Sequence, residues 1–192
     1  SIAEFEGPEF VLHMAGSTIM IQDISAAMFR DMPRFIGLAI ASIAVLLFLL
    51  FRRVVAVFTP LIVVMLSVAS TFGLMGWSGT ALHVPTQILP SFLIAVGVGN
   101  SVHLLGTFFE RIRRGENRAD ALMHGLGHSG LALVLTSVTT AAGLASFAGA
   151  GIAPVAALGL FAPIGVMIAL VLSLTLLPAL IQIVPLGNPR GQ

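Results

Sequence analysis

The side chains best suited to chemistry stand in two short stretches where hydrogen-bonding groups interrupt long apolar runs. Asn100, Ser101 and His103 break the run at residues 95–105, and Thr136, Ser137, Thr139 and Thr140 break the run at 130–150. Polar groups are costly inside a bilayer unless partnered, so at such a depth they argue for a function. Two readings compete. In one they form a polar path between helices; in the other they only bond neighbouring helices and their own backbone carbonyls. His103 lies nearer the end of its run, where it either titrates near neutral pH or simply meets water.

Other patterns carry less. Gly125-Leu-Gly-His-Ser-Gly130 has the spacing of a dinucleotide loop, but that loop needs a preceding strand, and here a helical pattern precedes and an apolar run follows. His124 and His128 are four apart and could share a metal, yet no third ligand stands near them, which favours an interfacial helix face. No nucleophile and base, carboxylate pair or phosphate loop is found, and all eight acidic residues fall outside the apolar runs. Neither an enzyme, a cofactor, a metal nor a nucleic-acid partner is expected.

The elements that position these groups follow from composition. Of 192 residues, 57% are hydrophobic and 9% charged, and mean hydropathy is +1.06, whereas a soluble domain carries roughly 25% charged residues. About 20 apolar residues cross a bilayer, so the chain is expected to be an all-α, polytopic helix bundle. Its five spans are placed at about 33–51, 54–77, 88–109, 130–150 and 155–184, within a membrane domain at 32–187. Residues 1–31 are of mixed polarity and read as water-exposed, with a short strand at 10–14 and a helix at 17–29. The 76–87 segment, rich in Gly, Ser, Thr and Pro, is a loop, and Pro90 suits a first helical turn. Residues 110–128 form an amphipathic surface helix, with Asn117 and Asp120 as its capping pair. Gly97, Gly99 and Gly143 are expected to let helices approach closely. Residues 188–192 are a polar tail.

Every basic residue is arginine. Arg52, Arg53, Arg111, Arg113, Arg114, Arg118 and Arg190 share one side when five spans alternate, and by the positive-inside rule that side is cytoplasmic. These arginines also suit anionic lipid headgroups. Residues 1–31 then lie outside, and an odd number of spans with an exterior start implies a preceding helix.

Ile94–His103, Phe109–Gly115 and Thr136–Phe147, in this order and spacing, resemble the membrane half of a resistance-nodulation-division (RND) transporter of the MMPL and sterol-sensing-like branch. The resemblance covers nearly the whole chain. It implies a half made of one helix, a periplasmic domain and five further helices, with residues 1–31 ending that domain and a bacterial inner membrane as the location. It implies proton-driven export of hydrophobic or lipid-like molecules, with membrane lipids and the other half of the transporter as partners; homo-oligomerisation is left open. In the family an acidic residue of the fourth helix carries the proton. Asn100 occupies that position, and an amide cannot exchange a proton near neutral pH. Either this half partners a proton-carrying one, or coupling differs, or transport is lost. The alternative is a sterol-sensing-like module that binds lipid and regulates without pumping. On the transport reading, Asn100, Ser101, His103, Thr136, Ser137, Thr139 and Thr140 form the relay.

Overall fold

A computed structural model describes residues 17–82 and 85–184, so the strand expected at 10–14 and the tail at 188–192 lie outside the described residues. The described chain is helical, with α1 at Ser17–Phe51, α2 at Val54–Trp77, α3 at Leu89–Arg113, α4 at Arg118–Ala145 and α5 at Ala153–Ile183. Short 3-10 turns at Pro85–Ile88 and Ser146–Gly149 lead into α3 and out of α4. Among the described residues, five helices are long and apolar enough to cross a membrane. A helix is the economical way to do so, because it pairs its backbone N–H and C=O groups internally where no water is at hand.

Two elements expected to be separate are joined. Residues 17–29 and 33–51 make one helix that runs through Pro33. The ring removes one N–H from the ladder, and Phe29 and Pro33 are exposed near the charged residues Arg30, Asp31 and Arg34, where water can satisfy the freed carbonyl. The amphipathic segment 110–128 is likewise no independent helix. Its first residues end α3, and from Arg118 onward it is the beginning of α4, which continues past Gly130 without a break. The break between α3 and α4 falls instead at Gly115, whose φ of 90° suits a residue without Cβ. Asn117 then caps α4, accepting a hydrogen bond from the Asp120 backbone N–H at 2.9 Å. Pro90 sits in the first turn of α3, where its missing N–H has no intrahelical use.

Helices α2, α3 and α5 make the centre. In α3, 56% of the spanning residues are buried, against 17% in α4 and 6% in α1, so the outer two present most of their surface to something else. Lipid tails are as apolar as leucine, so close van der Waals packing, not water exclusion, holds such helices together. Gly97 and Gly165 supply the approach. A Cβ at Gly97 would stand 2.8 Å from Val64 of α2, and one at Gly165 would stand 2.7 Å from Leu93 of α3 and 2.9 Å from the Thr71 hydroxyl. Gly159 lets α5 lie against the backbone of Phe147 and Ala148. At the arginine-rich end Ala56, Leu105, Phe108, Leu122 and Leu177 form one apolar cluster, and Met75, Leu89 and Phe161 form another at the far end.

The connection between α1 and α2 is two residues long. Arg52 takes a left-handed conformation with φ of 52° and its N–H bonds the Phe48 carbonyl at 2.7 Å, closing α1 as a glycine usually does.

Candidate functional site: a polar cavity between α3 and α4

Helix α3 buries one face against α2 and α5 and turns another toward α4. On the second face Ala95, Gly99, His103 and Thr107 recur every four residues, with Asn100 beside them. Helix α4 answers with Ser129, Ala132, Thr136, Ser137 and Thr140 at helical intervals. Small side chains alternate with polar ones, and the helices line a partly open cavity of about 500 Å³ to which His128 also contributes. A water takes about 30 Å³ in the liquid, so the space suits several, and the lining gives them partners.

Two hydrogen bonds cross the cavity. Asn100 Nδ2 donates to Ser137 Oγ at 3.4 Å, between two buried side chains. Thr107 Oγ1 and Ser129 Oγ are 3.1 Å apart and share a proton in one direction or the other. Asn100 and Thr107 are seven residues apart, about 10 Å along the helix. His103 lies between them with its ring exposed. The lining includes the imidazole rings of His103 and His128. Among the described residues, no carboxylate lines the cavity.

The structure thus brings together Asn100, His103, Thr136, Ser137 and Thr140 and leaves out two of the residues named with them. Ser101 points away, fully buried, and donates to the Gly97 carbonyl at 2.8 Å. Thr139 is exposed on the far side of α4 and donates to the Leu135 and Thr136 carbonyls. Helical geometry explains both, since each is one residue, or about 100°, from a lining neighbour. Three polar lining residues escaped the sequence reading, namely Thr107, His128 and Ser129. The signal was present in the spacing: Thr107 stands four after His103, and Ser129 stands eight before Ser137.

The glycines divide in the same way. Gly97 is at a close helix contact, whereas a Cβ at Gly99 or Gly143 would meet no atom within 4 Å. Gly99 widens the cavity instead of tightening an interface. The loop-like spacing of Gly125, Gly127 and Gly130 lies inside α4, so its backbone N–H groups serve the helix.

At the arginine-rich end most charges are tied within the chain. Arg111 bonds Glu116 at 3.0 Å and also meets His124, Arg114 pairs with Glu110, and Arg53 lies 5.4 Å above the Phe109 ring. Arg118 donates to the carbonyls of Gln182 and Val184, at 3.4 and 3.3 Å. A cation there offsets the negative end of the α5 dipole.

Comparison with known proteins completes this picture. The sequence pattern of the MMPL family matches residues 3–188. The chain belongs to the MMPL family. A protein of Methanocaldococcus jannaschii, described as a membrane protein, is 30% identical over 141 residues, which are 73% of this chain and 36% of the relative. A protein of Mycobacterium tuberculosis named as a probable transport protein, MmpL12, is 24% identical over 182 residues, or 92% of this chain and 16% of the relative. The chain therefore spans about a third of one curated relative and a sixth of the other. Family membership and the five apolar helices together make this MMPL chain a membrane-spanning one.

Proposed function

We propose that this chain is the membrane part of an exporter that uses the proton gradient to move hydrophobic or lipid-like molecules from or across the bacterial inner membrane. The observation that carries the reading is the cavity between α3 and α4, polar in the middle of apolar spans and edged by the exposed Thr136 and His103. Hydrocarbon offers such groups no partner. The other half of the transporter covers this face, which accords with the low burial of α4. Arg52, Arg53 and the arginines at 111–118 face the cytoplasm, and residues 1–31 lead in from the periplasm.

The chemistry follows from the donor set. Asn100 holds the Ser137 hydroxyl and cannot itself release a proton, so its part is to orient. Hydroxyls and water pass protons by exchanging donor and acceptor roles, and the imidazoles of His103 and His128 line the same cavity. An acidic side chain on the covering half completes the relay. Asn100→Leu removes both amide functions and is expected to abolish transport of a fluorescent lipid by the intact protein in proteoliposomes, with expression and helicity retained. Unchanged transport sinks the relay.

That no carboxylate lines the cavity among the described residues favours a second reading, a sterol-sensing-like module that binds lipid and regulates without pumping. Proton flux separates the two: lipid binding by the intact protein with no pH-dependent flux selects the second.

A further inference from the structure

A different cavity, of about 610 Å³, opens at the arginine-rich end between the α1–α2 turn and the last turns of α3. Its apolar wall comes from Leu50, Phe51, Val102 and Phe109. Its polar lining is two guanidinium groups, Arg53 and Arg113, and among the described residues no acidic side chain lines it. Gly106 leaves the floor open, since a Cβ there would meet nothing within 4 Å.

The charges around this cavity are unequally compensated. Three arginines near the α3–α4 junction are engaged inside the chain: Arg111 by Glu116, Arg114 by Glu110 and Arg118 by the last carbonyls of α5. Arg113 has no ion pair or hydrogen bond with a described residue, and it is the one that lines the cavity. Stacking over Phe109 fixes Arg53 at the cavity. The site therefore couples two fork-shaped donors, suited to phosphate oxygens, with an apolar wall that a bare anion would not use. The wall continues into the membrane. Leu46 stands one turn from Leu50 on the same face of α1, and both are exposed.

We propose that this cavity binds an anionic phospholipid, its phosphate between Arg53 and Arg113 and an acyl chain along Leu50 and Leu46. A zwitterionic lipid fits less well, because its ammonium group would face two arginines and, among the described lining residues, no carboxylate.

Native mass spectrometry of the intact protein in detergent, titrated separately with phosphatidylglycerol and phosphatidylcholine, tests the site. The expected result is preferential retention of phosphatidylglycerol. Arg113→Gln should lower that retention about fivefold, the effect of one arginine near an anionic surface. Gly106→Leu, which fills the cavity and changes no charge, should lower it comparably. Arg114→Gln, which removes a charge paired with Glu110, should leave the preference intact. Equal retention of the two lipids by the unsubstituted protein overturns the proposal. So does an equal loss in Arg113→Gln and Arg114→Gln with no change in Gly106→Leu, because diffuse charge alone then attracts the lipid. Displacement of the lipid by inorganic phosphate also overturns it, by assigning the site to a bare anion. Arg113 is exposed, so its substitution tests the site even if the filled cavity disturbs folding.

Discussion

Helix α3 has two faces built to opposite ends. Toward α2 and α5 it is closed, with Gly97 against Val64, Leu93 against Gly165 and Ser101 satisfied by its own backbone. Toward α4 it is open, with Gly99 facing space and Asn100 reaching across to Ser137. The same residue types appear on both faces, but on one they remove volume and on the other they create it. The contrast teaches that in a membrane bundle glycine and serine have no fixed role. What lies opposite them, within about 4 Å, decides whether they are packing or lining.

The comparison is most severely tested by placing the same bulk on each face. Gly165→Leu drives a side chain into Leu93 and Thr71, and overpacking of this kind should destabilise by about 3 kcal/mol, the upper end of its usual range. A large fall in thermal stability in detergent, with loss of helical signal at lower temperature, is the expected reading. If Gly165→Leu melts like the unsubstituted protein, the closed face is not closed. Gly99→Leu enters space, so stability should change by less than about 0.5 kcal/mol, while transport in proteoliposomes is lost as the cavity fills. Full transport with a filled cavity removes the open face from the mechanism.

The smallest expected effect compares two serines. Ser137→Ala leaves the Asn100 amide without its partner and should cost about 0.6 kcal/mol, the average for hydrogen bonds between membrane helices. Ser101→Ala removes only a bond to the preceding turn and should cost less. Reversible unfolding of both variants in mixed micelles gives the order, and the reverse order would mean that the Asn100–Ser137 bond contributes nothing.

Much of this architecture was legible in the sequence because the bilayer imposes a simple code: Asn100, His103, Thr136, Ser137 and Thr140 stand out against their apolar neighbours. What was hidden depends on rotation and on breaks. Ser101 and Thr139 are adjacent to lining residues in sequence but about 100° away around the helix, so a polar cluster overstates the site by including its neighbours. Thr107 and Ser129 were overlooked for the opposite reason, since they stand among less apolar residues and only periodicity links them to Asn100 and Ser137. Pro33 and Gly130 resemble helix breakers, yet neither interrupts its helix. The expectation of a separate surface helix at 110–128 failed because amphipathic and apolar stretches share one backbone conformation, and a change of solvent along a helix does not require a joint.

That last continuity has a mechanical side. The Arg118 foot of α4 and its Thr140 region are ends of one rod, about 33 Å apart at 1.5 Å per residue, with no hinge between them. The foot holds the final carbonyls of α5 through Arg118, so a tilt of this rod about any point other than its foot would carry the last turn of α5 with it.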